Sequence, residues 1–317
     1  MGGGVFHKGD TLMIWGNLIH LSYNMWADRK SSDWDIEYIT AEPYLRFDDQ
    51  LWNDILLKMV KAGMNMVVLD LGDGVRYESR PEIAVEGAWS VDRLRDEVAR
   101  LREMGLEPIP KLNFSTTHDA WLGQYSRCVS TDLYYAVCRD LISEVADLFG
   151  KPRFLHIGMD EESCEHQKHY LYAVVHQHEL WWHDLLFYVN EVEKAGSRAW
   201  VWSDVMWNHR DDFFAKMPKS VLQSNWYYEP EFNEEIKYVK AYHDLAEHGY
   251  DQVPTGSNFG NPVNFENMIS YFKQNVPSDK VLGFLQTPWK PTLKACSEHH
   301  MQAIEQVGHT KKQKESK

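Results

Sequence analysis

The feature of the sequence that most limits its fold is a regular alternation of short apolar runs with longer amphipathic stretches. The apolar runs have strand length, and the stretches between them carry apolar residues at helical spacing. Such alternation is typical of βα units with a parallel sheet, and eight units close into a (β/α)8 TIM barrel. The runs that we interpret as strands are 11–21, 65–71, 106–114, 154–157, 198–203, 221–228, 252–257 and 281–285.

Helix boundaries follow from capping residues and glycine stops. An open doubly wound sheet is the alternative fold, but no glycine-rich phosphate loop follows the first strand. Without a linker or a shift in composition, we predict a single (β/α)8 domain over 1–317, with a frayed polar tail at roughly 311–317. The predicted helices lie at 48–63, 90–105, 130–150, about 167–194, about 231–247, from Asn264 onward, and about 293–307.

Charge and composition exclude several classes of partner. The 317 residues carry a formal net charge of −14, which argues against nucleic acid or an anionic membrane surface. No apolar stretch reaches the roughly 18 residues of a membrane span, and the first residues lack the apolar core of a signal peptide. We therefore expect a cytoplasmic protein, with secretion after signal removal left open. The four cysteines show no CxxC spacing, and the histidines of 166–183 lack matching carboxylates, so we expect neither a metal nor a cofactor.

Polar and indole side chains follow the predicted strands, where a TIM barrel builds its active site. Carboxylates, amides and tryptophans dominate these positions, and no serine nucleophile elbow occurs among them. This mixture is typical of a carbohydrate pocket, because amides and acids bind hydroxyl groups and indoles cover the apolar face of a sugar. The strand-end residues are Asp70, Asp73, Arg76, Asn113, His118, Asp160, Glu161, Glu162, Trp202, Asp204, Asn225, Trp226, Tyr227, Asn258, Gln286 and Trp289.

The densest cluster follows the fourth strand, where three consecutive acids, Asp160, Glu161 and Glu162, come soon after the run 154–157. Carboxylates this close repel one another, and burial disfavours their ionisation, so at least one should keep its proton near neutral pH. A protonated acid beside an ionised partner is a suitable general acid. The alternative is an acidic helix start, which the helix dipole favours.

Structural alternatives stay open for other strand-end residues. Asp73 with its following glycine is a common turn, and His118 is equally compatible with satisfying a loop. The indoles of Trp202, Trp226 and Trp289 are also compatible with barrel packing.

The motif His156-Ile-Gly-Met-Asp160-Glu161 resembles the His-x-Gly-Gly-Asp-Glu signature of family 20 glycoside hydrolases, the β-N-acetylhexosaminidases. Further segments agree in order along the chain. The segment 63–79, with Asp73 and Arg76, is similar to the second-strand segment of the family, and 109–120, with His118, is similar to the third. The strand-end positions of Trp202, Asp204, Trp226 and the segment 283–289 agree as well.

The resemblance implies retaining hydrolysis in which the substrate supplies the nucleophile. Glu161 would be the general acid and base, and Asp160 would orient and polarise the 2-acetamido group. An ionised Asp160 is also expected to raise the pKa of Glu161. His156 would support this pair, with a carbohydrate as the partner and no cofactor. The implied substrate-binding residues are Asp73, Arg76, His118, His156, Trp202, Asp204, Trp226, Tyr227 and Trp289.

Several positions depart from the family pattern. Met159 replaces the second motif glycine, the first strand carries no arginine, Lys290 stands where an acid follows the strand-eight tryptophan, and 258–260 carries no tyrosine. Two alternatives follow: a glycosidase of different sugar specificity that pairs Glu161 with Asp73 or Asp204, or a carbohydrate-binding barrel with little catalysis. The small domain that often precedes this barrel has no counterpart here, so a homo-oligomer that closes the pocket is a further expectation.

Overall fold

The computed structural model describes residues 12–30 and 36–315. Its parallel strands are β1 Ile14–His20, β2 Met66–Asp70, β3 Glu107–Lys111, β4 Phe154–His156, β5 Arg198–Trp202, β6 Leu222–Ser224, β7 Thr255–Gly256 and β8 Gly283–Gln286. They pair in the order β6–β5–β4–β3–β2–β1–β8–β7. Two hydrogen bonds join β6 to β7, the two ends of this order. The N–H of Val253 donates to the carbonyl of Gln223 at 2.9 Å, and the N–H of Thr255 donates to the carbonyl of Asn225 at 3.0 Å. These bonds close the sheet and confirm the predicted TIM barrel.

Helices lie between the strands and cover the outside of the barrel. The carboxylate of Asp48 accepts the N–H of Leu51 at 2.8 Å, and the hydroxyl of Ser90 accepts that of Arg93 at 3.2 Å. The first two helices therefore begin where the capping residues predict. The helices are α1 Asp49–Lys61, α2 Val91–Glu103, α3 Asp132–Leu148, α4 His178–Lys194, α5 Arg210–Lys216, α6 Lys237–Glu247, α7 Asn264–Asn275 and α8 Ser297–Glu315.

Two apolar layers hold the strands in place. Alternate side chains of one strand point to opposite faces of a sheet, so Val67 and Leu69 join the layer against the helices, and Met66 and Val68 join the interior layer. The barrel interior is therefore filled, and a binding site has room only at an end of the barrel. The interior layer consists of Ile14, Leu18, Met66, Val68, Ile109, Phe154, Trp200, Trp202, Leu222, Val253 and Leu285.

The region predicted as one helix at 167–194 is divided in two. A single helical turn at Cys164–Gln167 precedes an irregular segment, and α4 begins only at His178. The side chain of Gln167 accepts the N–H of Val174 and donates to its carbonyl, both at 2.7 Å. This pair of hydrogen bonds folds the segment back on itself, so the helical prediction was wrong between 168 and 177.

Smaller differences occur at other elements. Thr131 caps α3, one residue after the predicted Ser130. The seven-residue helix α5 was not predicted, because so short a helix shows little periodicity. The last helix continues through Glu315, into the segment 311–317 for which the sequence predicts a frayed tail. None of the helices within 12–30 and 36–315 is long and apolar enough to cross a membrane.

Candidate active site

The turn after β4 places two carboxylates at the carboxyl-terminal end of the barrel. Gly158 has a φ of +73°, and a Cβ built on it would lie 1.9 Å from Oδ1 of Asn113. Only glycine fits this close approach. Met159 and Glu161 also have positive φ, at 75° and 55°. Left-handed backbone at non-glycine residues is uncommon and is concentrated at functional sites, so this turn is a candidate site on backbone geometry alone.

Asp160 is held in place on several sides by residues that follow β3. Nδ2 of Asn113 donates to Oδ1 of Asp160 at 2.9 Å. The hydroxyls of Ser115 and Thr117 donate to the backbone carbonyl of Asp160, at 2.5 and 3.1 Å. The side chain of Asp160 is buried. Its carboxylate is therefore oriented before any ligand binds, as a group that must position a substrate requires.

Glu161 lies between two imidazoles. Its Oε2 is 3.3 Å from Nε2 of His118 and 3.2 Å from Nε2 of His166. Burial raises the pKa of Glu161, but the hydrogen bonds and charges of the two histidines outweigh burial and hold the pKa well below its usual range. The expectation that Asp160 would raise the pKa of Glu161 was wrong, because it left out these two imidazoles.

Between Glu161 and His118, the proton lies on the imidazole of His118. Burial lowers the pKa of His118, but the charge of Asp160 and the hydrogen bond and charge of Glu161 raise it more, so the pKa lies above its ordinary value. Nδ1 of His118 is 2.9 Å from the hydroxyl of Thr117, which orients the ring. The raised pKa of His118 and the lowered pKa of Glu161 both favour a proton on the imidazole over one on the carboxyl group.

Asp204 is the carboxyl group that keeps its proton. Its Oδ2 accepts the backbone N–H of Glu161 at 2.9 Å, and its Oδ1 has no hydrogen-bond partner among the described residues. Burial and the charges of Asp160 and Glu161 raise the pKa of Asp204 to about 8. The acid that stays protonated near neutral pH is therefore Asp204, which lies outside the run of three acids for which the sequence predicts a retained proton.

Two cavities meet at Glu161. Cavity A, of about 270 Å³, is the space lined by His118, Asp160, Trp26, Trp202, Tyr228 and Trp289, among others. Cavity B, of about 340 Å³, is the space lined by Asp204, Trp181, Trp182, Trp207, His209 and Asp212, among others. Glu161, His166 and Trp226 line both. The candidate acid therefore lies at the boundary of two binding spaces.

Indole and phenol rings form much of cavity A. The ring centroids of Trp26 and Trp289 are 6.2 Å apart, and those of Trp202 and Trp289 are 6.0 Å apart. Nε1 of Trp289 donates to the hydroxyl of Tyr228 at 2.9 Å. Trp226 stacks on Tyr228 with centroids 5.1 Å apart. Such rings offer flat apolar faces with fixed orientation, which suits the C–H face of a sugar.

A buried charged group lies beside the rings of cavity A. Nζ of Lys111 donates to Oδ2 of Asp70 at 2.5 Å, and Nδ1 of His20 is 3.3 Å from the same oxygen. The ring of His20 is 4.9 Å from that of Tyr23 and 5.5 Å from that of Trp289, both of which line the cavity. Asp70 therefore binds Lys111 of β3, and through His20 it is in contact with the rings that line cavity A.

The structure brings seven of the predicted site residues to the two cavities. They come from the ends of different strands, as in a TIM-barrel active site. The residues that line the cavities are His118, Asp160, Glu161, Trp202, Asp204, Trp226 and Trp289.

Four predicted site residues, all in the described part of the chain, are not among those that line the cavities. Asp73 accepts hydrogen bonds from Ser22 and Asn24, and burial raises its pKa to about 6. Arg76 is exposed to solvent. Tyr227 packs against neighbouring aromatic rings instead.

His156 is the fourth of these residues, and it lies in the barrel core below the turn. Its Nδ1 accepts the N–H of Gly158 at 3.0 Å, and its ring is 4.4 Å from that of Trp202. Burial lowers the pKa of His156 well below its usual value, so the ring is neutral. It stabilises the turn that carries Asp160, which agrees with a supporting position.

Sequence reasoning missed several residues that line the cavities, among them His166, Trp26 and Tyr228. His166 lies in the single helical turn Cys164–Gln167 and Trp26 in an irregular segment, and both are too short to show a periodicity that marks a functional position. Tyr228 and Trp226 both follow the same strand and are two residues apart, so side chains in an extended segment there point to the same side. This two-residue spacing is the signal that could have identified Tyr228.

A metal site has a limited basis in this cluster. His118, Asp160 and Glu161 have ligand atoms within 4.8 Å of one another, the one such group that the described residues form. Each is already engaged, Asp160 by Asn113 and Glu161 by two imidazoles. The absence of a metal therefore stays a prediction.

Comparison with known proteins supports the barrel and its topology. No protein-family model matches the chain, and no curated protein matches it in sequence. Solved structures of family 20 enzymes are similar to it in fold, which agrees with the fold that the sequence resemblance implies.

Three of these structures show the extent of the similarity. The family 20 exo-β-N-acetylglucosaminidase of Vibrio harveyi, solved with N-acetylglucosamine, gives a TM-score of 0.63 at 16% identity over 93% of this chain and 54% of that one. The β-N-acetylhexosaminidase of Bacteroides fragilis gives 0.63 at 13% over 93% and 65%. The family 20 enzyme of Streptomyces coelicolor gives 0.62 at 14% over 92% and 63%. The chain thus spans between half and two thirds of the length of these proteins.

Proposed function

We propose that the chain is a retaining glycoside hydrolase that removes a terminal 2-acetamido sugar with the help of the acetamido group itself. The observation that carries this proposal is the pairing of Asp160 and Glu161 beside cavity A. One carboxylate is fixed by Asn113, and the other is in contact with an imidazolium. The fold shared with family 20 enzymes supports the same assignment.

In this mechanism Asp160 orients the acetamido N–H and stabilises positive charge. The acetamido oxygen attacks C1, the bond from C1 to the glycosidic oxygen breaks, and its electron pair leaves with that oxygen. Glu161 delivers a proton to the departing oxygen. The resulting oxazolinium is attacked at C1 by water, whose proton returns to Glu161, and the acetamido group is restored.

The proton that Glu161 delivers comes from the imidazolium in contact with it. Glu161 is ionised in the free protein, and His118 holds the proton 3.3 Å away. Movement of that proton onto Glu161 as the glycosidic oxygen becomes basic makes the pair a general acid. The indoles of cavity A hold the sugar ring and exclude water during this step.

The proposal is tested with chromogenic glycosides that have or lack a 2-acetamido group. We expect turnover of the acetamido sugars only, and inhibition by a thiazoline analogue. Glu161→Gln should remove most turnover of substrates with poor leaving groups and spare activated ones, whereas Asp160→Asn should impair both by roughly 100-fold or more. An Asp160→Asn rate within a few-fold of wild type would exclude substrate assistance.

A glycosidase with two protein carboxylates is the second candidate. Two observations favour it: the raised pKa of Asp204, and its Oδ1, which has no hydrogen-bond partner in the part of the chain that the structure describes. A protonated carboxyl beside an ionised one is the usual acid–base arrangement. Turnover of sugars without the acetamido group, abolished in Asp204→Asn, would support this candidate. Binding of sugars without turnover of any substrate would indicate a binding barrel instead.

A further inference from the structure

His166 contacts Glu161 from outside the strands and long helices of the barrel. It lies in the helical turn Cys164–Gln167, and its Nε2 is 3.2 Å from Oε2 of Glu161. The same oxygen is 3.3 Å from Nε2 of His118, which follows β3. Glu161 is therefore in contact with two imidazoles that come from different parts of the chain. The proposed function gives a task to His118 and none to His166.

The two imidazoles differ in their exposure to solvent. The side chain of His118 is 3% exposed and that of His166 is 34% exposed. The buried ring of His118 is the one that keeps a proton beside Glu161. A second ring adds a second direction of contact, and this matters because a glutamate side chain rotates about three bonds. One contact leaves the carboxyl group free to turn about it, whereas two contacts from different residues fix its orientation.

The ring of His166 is itself oriented by its neighbour Ser163. The hydroxyl of Ser163 is 2.7 Å from Nδ1 of His166 and accepts the backbone N–H of the same residue at 3.4 Å. When this hydroxyl donates to Nδ1, the ring carries its proton on Nε2 and can donate to Glu161. Both ring nitrogens of His166 are thus in contact with a partner, as a side chain that must hold another in place requires.

The segment that carries His166 is anchored to the loops that follow β1 and β3. Nε2 of Gln167 donates to the hydroxyl of Thr116 at 2.9 Å. The hydroxyl of Tyr170 donates to the carbonyl of Met25, and the guanidinium of Arg127 lies 4.4 Å from the ring centroid of Tyr170. These contacts place the turn at the entrance of the site, where His166 lines both cavities.

We infer that His166 is a positioning residue, whose imidazole holds the carboxyl group of Glu161 in the orientation that reaches the glycosidic oxygen. This inference rests on the proposed function, in which Glu161 is the general acid and base. A carboxyl group that turns freely is out of reach of that oxygen for part of the time, and proton transfer to it is slower. An activated leaving group departs with little proton transfer, so its cleavage depends less on His166.

The test compares two aryl glycosides of the same 2-acetamido sugar, one with a methoxyphenyl and one with a dinitrophenyl leaving group. Both leaving groups are substituted phenols, but only methoxyphenol is so weak an acid that its departure needs a proton. The measured quantity is the ratio of kcat/KM for the methoxyphenyl glycoside to that for the dinitrophenyl glycoside. We expect this ratio to fall about tenfold in His166→Ala. It should fall only about threefold in His166→Gln, whose amide N–H can donate to the same carboxylate.

The matched control is Glu165→Gln, on the same turn with a side chain that is 80% exposed and paired with Lys168, for which the ratio should not change. A partly unfolded preparation lowers kcat/KM for both substrates equally, so the ratio stays valid if His166→Ala loses stability. An unchanged ratio in His166→Ala, together with a lowered ratio in Glu161→Gln, would overturn this inference and leave the proposed function standing. An unchanged ratio in Glu161→Gln would refute the proposed role of Glu161, and this inference with it.

Discussion

The buried imidazole of His176 links the turn after β4 to helix α4. Its Nδ1 is 3.1 Å from Oε1 of Glu162, and its Nε2 is 3.1 Å from Oδ2 of Asp184. Asp184 also accepts the hydroxyl groups of Ser130 and Tyr135, at 2.6 and 2.5 Å. A neutral imidazole has one N–H and can donate to only one carboxylate. The geometry therefore requires the charged imidazolium.

The charge of His176 makes stability depend on pH. Burial lowers the pKa of His176, but the hydrogen bonds and charges of Asp184 and Glu162 outweigh burial and raise the pKa from 6.5 to about 9. A raised folded-state pKa contributes stability that is fully present below pH 6.5 and is lost as the pH rises through about 9. This difference in pKa corresponds to about 3 kcal/mol of unfolding free energy.

We expect His176→Gln to lower the free energy of unfolding by about 3–5 kcal/mol at pH 6, because the buried Asp184 and the partly buried Glu162 lose their cation. The penalty should shrink by about 3 kcal/mol at pH 10, where the wild-type ring is neutral as well. Urea unfolding followed by tryptophan fluorescence at both pH values measures it. His183→Gln, an exposed imidazole on α4, is the control and should change stability by less than about 0.5 kcal/mol at either pH. A penalty of equal size at pH 6 and pH 10 would refute the charged ring.

Two further predictions concern the turn and its proton. Gly158→Ala should abolish activity and lower the free energy of unfolding by more than about 2 kcal/mol, because the new Cβ meets Asn113. Gly105 also has a positive φ but open space around it, so Gly105→Ala should cost only about 1 kcal/mol. Thermal unfolding and activity assays measure both variants, and equal losses would contradict the steric argument. The alkaline limb of the pH profile of kcat/KM should lie above pH 6.5, because the pKa of His118 is raised and its proton is lost only at higher pH. His118→Gln should remove that limb. An unchanged limb in this variant would show that Glu161 does not draw its proton from His118.

The strands and the acid cluster could be predicted from the sequence because their signals are local. The strand Met66–Asp70 is buried throughout, and its apolar run 66–69 ends in the acid Asp70. Asp48 and Ser90 have the side chains that a helix start requires, and both cap their helices. Patterns of this kind depend only on the spacing of residues along the chain, which a single sequence shows directly.

The division of 167–194 could not be predicted, because the bonds that cause it are not periodic. Two hydrogen bonds between Gln167 and Val174 and the contact of His176 with Asp184 compete with helix formation. The helical turn Cys164–Gln167, at the start of this segment, supplies His166 to the site. Polar side chains at helical spacing look alike whether they line a helix or a folded-back loop, so the sequence pattern favoured the wrong structure here.

The choice among strand-end residues also needed the structure. Asp73 and Asp160 both follow buried strands, but Asp73 is engaged by Ser22 and Asn24, whereas Asp160 lines a cavity. The loop after each strand decides which side chain lines a cavity, and no repeated sequence pattern runs through these loops. Tyr228, four residues after the end of β6, lines cavity A, although the resemblance leads one to expect a tyrosine after β7.

The division of charge among the three carboxyl groups explains why the pair is suited to a cationic intermediate. Asp204 is neutral because it is buried beside two ionised acids, and it holds the backbone of Glu161 in position. Nε2 of His118 lies 3.3 Å from Oε2 of Glu161, and Nδ1 of the same ring lies farther from Asp160, 3.8 Å from its Oδ1. The hydrogen bond to Asp160 comes from the neutral amide of Asn113, so an oxazolinium formed against Asp160 would be a closer positive charge than His118. The proposed substrate assistance would therefore depend on where the histidines are placed as much as on the acids themselves.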